Sequence, residues 1–153
     1  MSASIQLSRE KAARNPGMRW DSLNEFLAFV DLAKLSPVQR VAYLAYWYSS
    51  QVEMAGHRDY FLSPRKAEHS EVIEALRAIG AIEQASISNA ALEAIQNAGS
   101  GVLANYEDRF AASVDFSDLT EFDDAFERCA RSFQKCLMEY LDKHEKEFIE
   151  WLP

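Results

Sequence analysis

Between Phe122 and Tyr140 the chain places Phe122, Phe126, Cys129, Phe133, Cys136 and Tyr140 at steps of 4, 3, 4, 3 and 4. Those steps gather all six side chains on one face of an α-helix, whereas a strand, with its period of two, would scatter them over both faces. The spacing predicts a long C-terminal helix whose apolar seam packs against a neighbour. Ser117 is positioned to cap it, and Asp118 and Glu121 in its first turns suit the positive end of a helix. Phe148, Trp151 and Leu152 follow as groups that dock the last turn.

The same periodicity runs upstream. Leu23, Phe26, Leu27, Val30 and Ala33 mark a helix over about 22–34. Ser36-Pro37 is a start signal, a hydroxyl cap followed by proline at the first helical position. From it Val41, Leu44, Ala45, Tyr48, Val52 and Ala55 recur up to Gly56, read as a C-terminal stop. Tyr43, Tyr46, Trp47 and Tyr48 point to more than one face, so this helix is expected at the centre of the fold. Ser63-Pro64 repeats the start signal, Val72, Ile73, Leu76 and Ile79 form a stripe, and Gly80 closes it. Ser88 or Asn89 is read as the cap of a segment holding Ala91, Leu92 and Ile95, and a further helix covers 102–112. The fold expected is all-α, a single compact bundle of six or seven helices with a long C-terminal helix. Residues 1–19, ending in Asn15-Pro16-Gly17, form an arm or short helix ahead of one helical domain over 20–153.

Composition agrees. At 48% apolar and 12% aromatic residues the chain is equipped for a core, and 5 Gly and 4 Pro are too few for a turn-rich β-sandwich or barrel. No apolar run is long enough to span a bilayer, and the polar first twenty residues do not read as a secretory leader, so the cytoplasm is expected. Cys129 and Cys136, two helical turns apart, are expected to stay reduced.

Charge is distributed unevenly. Residues 1–76 carry nine basic and nine acidic side chains, while residues 77–153 carry seven and fifteen and supply the whole net charge of −8. A surface of that sign repels phosphate backbones and attracts basic proteins, so direct nucleic-acid binding is not expected. The excess concentrates at Glu107, Asp108, Asp115, Asp118, Glu121, Asp123, Asp124 and Glu127, against Arg109 alone. Helix neighbours three or four apart are about 5–6 Å from each other, on the scale of phosphates along a DNA strand. Arg128 and Arg131 are placed to neutralise Asp124 and Glu127 at i, i+4, which leaves Asp115, Asp118, Glu121 and Asp123 as exposed acids.

Nothing in the sequence spells out catalysis. His57, His69 and His144 stand alone, with none of the i, i+4 pairing that holds a metal, and no exposed nucleophile accompanies them. Gly99-Ser100-Gly101 follows a helix and lacks the lysine of a phosphate-binding loop. No cofactor is expected.

The stretch Ala45-Tyr46-Trp47-Tyr48-Ser49-Ser50-Gln51-Val52-Glu53-Met54-Ala55-Gly56-His57-Arg58-Asp59-Tyr60-Phe61, then Ala75-Leu76-Arg77-Ala78-Ile79-Gly80-Ala81, resembles a bacterial DNA-mimic protein family of small acidic all-α domains. Asp118-Leu119-Thr120-Glu121-Phe122-Asp123-Asp124-Ala125-Phe126 and Glu145-Lys146-Glu147-Phe148 look like that family's acidic helix start and its closing motif, and the likeness spans roughly 38–150. The resemblance implies an all-helical fold, a homodimer, and an acidic face that occupies the DNA site of a transcription factor. The leading expectation is thus a non-enzymatic module that binds a basic, DNA-binding protein through 107–127. Two other readings stand beside it: an immunity or antitoxin-type protein with a cognate toxin, and a small hydrolase or ligand-binding protein using Trp47, Glu53, His57 and Tyr60.

Overall fold

The computed structural model describes residues 2–97 and 118–153. The chain begins with a strand, β1 (Ile5–Ser8), and two helices, α1 (Arg9–Arg14) and α2 (Met18–Phe29). A 3-10 turn (Leu32–Lys34) leads into the long α3 (Pro37–Leu62), followed by α4 (His69–Ala78) and α5 (Ile82–Asn97). Beyond the segment 98–117 come α6 (Thr120–Glu127), α7 (Phe133–Lys143), the single turn α8 (Glu145–Phe148) and a last strand, β2 (Ile149–Leu152). The helix expected over 102–112 lies outside the described residues.

Helix α3 is central, as its aromatic content implied, and packs against α2, α4, α6, α7 and α8. Ser36 and Gln39 form a reciprocal capping box at its start, with Pro37 in the first turn. Gly56 does not end the helix. It takes a left-handed φ of 84°, bends the axis, and the chain resumes helical geometry as far as Leu62. Ser63 therefore serves as the C-terminal cap of α3 rather than as the start of α4, which opens at Glu68. Gly80 does close α4, also at φ 84°, behind the buried stripe of Val72, Ile73, Leu76 and Ile79. Helix α5 begins six residues before the expected cap, and Ser88 is a buried polar residue inside it.

The long C-terminal helix is not formed. The seam residues Phe126, Phe133 and Cys136 are buried as their spacing requires, but the helix stops at Glu127 and a new one starts at Phe133. Ser132 caps the new helix by accepting from the Lys135 backbone N–H. The break is held from outside, because the buried Gln84 of α5 donates through Nε2 to the Arg131 carbonyl at 2.8 Å. The Lys135 N–H that a continuing helix would give to the Arg131 carbonyl goes to Ser132 Oγ instead, and Gln84 satisfies that carbonyl, so a tertiary contact supports the break against the local periodicity.

All-α also needs amendment. Strands β1 and β2 pair in parallel, Ile5 opposite Ile149 and Leu7 opposite Trp151. Four residues each are too short to display alternation. Gln39, fully buried, clamps both ends of the chain by donating to the Ala3 and Glu147 carbonyls, each at 2.6 Å. Among the described residues no helix is long and apolar enough to cross a membrane.

Candidate functional site

Helix α6 divides its residues sharply. Phe126 is buried and Phe122 half-buried against the bundle, whereas Glu121, Asp124 and Glu127 are exposed, continuing a three-residue step from the exposed Asp118. Asp118 precedes the helix and accepts from the Thr120 backbone N–H at 3.0 Å and from its hydroxyl. The Thr120 hydroxyl, reinforced by the backbone N–H, holds the Asp118 carboxyl below its ordinary range, so this residue is firmly anionic. The expected pairing of Glu127 with Arg131 is not made: α6 ends before Arg131, whose guanidinium engages Glu139 of α7. A cation that would have neutralised the row is drawn away from it.

Asp123 departs from the expected exposed row. It points back to α3, where its Oδ1 accepts from the His57 backbone N–H at 2.8 Å and lies 2.7 Å from His57 Nδ1. On the other side of the ring, His57 Nε2 is 2.6 Å from the Tyr48 hydroxyl. The carboxylate can only accept, which assigns the imidazole proton to Nδ1 and makes Tyr48 the donor to Nε2. Ser88 of α5, also buried, acts on the Tyr48 hydroxyl and favours its ionised form. A chain of hydrogen bonds thus links the two sides of the α3 bend to α6. Burial dominates its electrostatics: it lowers the His57 pKa against the opposing pull of Asp123, and raises that of Tyr48 well above a free phenol. Both groups are therefore neutral at pH 7. His57 and Tyr48 are each 0% exposed, so ring and phenol tie the helices together from inside the core, while Asp123 stays partly exposed at its edge.

Gly56 makes the approach of Asp123 possible. A Cβ at this position would sit 2.6 Å from Asp123 Oδ2, inside van der Waals contact, on a backbone whose φ of 84° already disfavours side chains. The glycine and the lone histidine beside it were visible in the sequence, but their partner 66 residues away was not. Of the remaining acidic residues expected at the site, Glu107, Asp108 and Asp115 lie outside the described residues.

Beside this joint the surface is concave. A cavity of about 390 Å³ is walled by the buried Val52, Phe126 and Phe133, with Glu53, Asp123 and Glu127 around it. A second, of about 250 Å³, shares Glu53 and Phe133 with the first and extends to Trp20 and Tyr46. The Ser49 hydroxyl orients Glu53, donating to its Oε1 at 3.1 Å.

A protein-family model described as DMP19-like protein matches residues 33–144, well over half of the chain. The protein belongs to the DMP19-like family. This is a DNA-mimic family, in agreement with the resemblance drawn from the sequence. No match is found among curated proteins or among solved structures.

The DMP19-like region covers α3 to α7 and therefore contains the Gly56 bend, the Tyr48–His57–Asp123 joint and the exposed row on α6. It leaves out α1, α2 and the terminal strand pair, and it also stops short of the Glu145–Phe148 motif.

Proposed function

We propose that this DMP19-like protein is a DNA mimic that acts by binding alone, presenting Asp118, Glu121, Asp124 and Glu127 to the DNA-binding surface of a basic protein. The observation that carries this reading is the exposed row on α6, kept open by the withdrawal of Arg131 to Glu139, within a chain of a DNA-mimic family. Carboxylates at helical spacing stand in for phosphates: they speed encounter through long-range attraction and then cover the partner's nucleic-acid site. Glu107, Asp108 and Asp115 add to the same negative field by their charge. The protein works in the cytoplasm, and as a homodimer it would present the row twice, matching a two-fold symmetric DNA-binding partner.

The test starts from an affinity capture in native lysate, with the basic partner identified by mass spectrometry. Asp118→Asn, Glu121→Gln and Asp124→Asn combined should slow association with that partner, and the wild-type interaction should fade as added salt shortens the screening length below its value of about 8 Å at physiological ionic strength. The DNA-bound partner should also release its DNA when the wild-type chain is added. A folded triple variant that associates as fast as wild type would overturn the proposal.

A further inference from the structure

We infer that the groove between α3, α6 and α7 receives an arginine side chain of the basic partner. The inference rests on the proposed binding of a basic protein and names the contact that would make it selective. Three carboxylates from two helices, Glu53 on α3 with Asp123 and Glu127 on α6, surround a cavity whose inner wall is made by Phe126 and Phe133. No Lys or Arg is among the described residues that line this cavity or the one adjoining it. The groove is thus apolar at its base and negative around it, a combination that suits a flat cation on an apolar stem.

Arginine fits that description better than lysine. Its guanidinium is weakly hydrated, lies flat on aromatic rings and forks its N–H donors onto carboxylates, whereas an ammonium is a compact and strongly hydrated charge. Two carboxylates are already set in place. Glu53 is oriented by Ser49, and Asp123 is fixed through Oδ1 by His57, so ordering costs on binding are reduced. A cavity of about 390 Å³ falls within the range of built ligand sites, about 300–1,000 Å³. The exposed row on α6 is convex and attracts any cation, while the groove selects a side chain by shape.

The experiment uses the whole protein and two small probes, N-acetylarginine N-methylamide and its citrulline counterpart, which has the same shape without the charge. In a titration followed by amide NMR, the arginine probe at millimolar concentration should shift Glu53, Asp123, Glu127, Phe133 and Gln134, and the citrulline probe should not. Glu53→Gln, at an exposed position where the new amide oxygen still accepts from Ser49, should weaken the arginine probe about fivefold, while Glu93→Gln on α5 should leave it unchanged. Equal shifts from both probes, shifts outside the groove, or full affinity in Glu53→Gln would overturn the inference. The two proposals fail separately. If Glu53→Gln keeps the probe while the triple variant on α6 still loses the partner, the groove assignment falls and the mimic reading stands. If the groove takes arginine but the triple variant binds the partner as well as wild type, the α6 face falls alone.

Discussion

Asp123 and Asp124 are neighbours in the chain and identical in chemistry, yet α6 gives them opposite work. Asp124 is exposed beside Glu121 and Glu127 in a row that faces water. Asp123, about 100° further round the helix, reaches under the bend at Gly56 and ties two elements together through His57. An acidic run read as a sum of charges misses this division. What separates the residues is the angle at which each leaves the helix and whether a donor waits where it points.

The largest effect expected from this contrast is on folding stability. Asp123→Ala strips the acceptor from the buried His57 Nδ1–H and from its backbone N–H. Leaving such donors unpaired costs about 1–3 kcal/mol each, so a total near 3 kcal/mol should appear in urea unfolding as a lower midpoint at unchanged slope. A loss under about 0.5 kcal/mol, the ordinary range of surface changes, would place Asp123 with the outer row after all.

A smaller effect should come from acid. His57 is depressed in the folded protein, chiefly by burial, relative to an unfolded value of about 6.5. The unfolded chain therefore takes up this proton first. Stability is complete above about pH 6.5 and declines as pH falls toward the folded value. The urea midpoint should drop between pH 7.5 and 5.5, a window above the titration of ordinary carboxylates, and an unchanged midpoint would mean that the folded state already holds a charged His57.

The smallest effect belongs to the outer row. Asp124→Asn should alter the midpoint by less than about 0.5 kcal/mol, because the side chain is exposed. Setting this beside Asp123→Ala sharpens the contrast, since two adjacent aspartates would then differ about sixfold or more in their weight on folding. Comparable losses from both would erase it.

Much of the fold was legible in the chain. The Ser36 cap ahead of Pro37, the stripe closed by Gly80 and the central place of the aromatic helix all follow from residues within a few positions of one another. So does the identity of the seam, since Phe126, Phe133 and Cys136 are buried as predicted. Half of the acidic residues picked out at the candidate site are exposed together, Asp118 just ahead of α6 and Glu121, Asp124 and Glu127 on it. The likeness to a DNA-mimic family was legible in the same way, from the motifs between Ala45 and Ala81.

Amino-acid sequence alone thus determined what depends on neighbours: the start of α3, the apolar stripes of its helices, and which half of the chain holds the negative charge. Tertiary structure decided whatever needs groups far apart in the chain. The seam is cut in two because Gln84 meets the Arg131 carbonyl across 47 positions. The ends pair as strands although Gln6 and Glu150 are separated by 144 residues, and Asp123 turns inward toward a histidine 66 residues before it. Periodicity reports which side of a helix is buried, through spacing of three and four residues. It carries no record of the donor or acceptor that a distant segment will bring to that side, and those hydrogen bonds chose the breaks and the inward carboxylate.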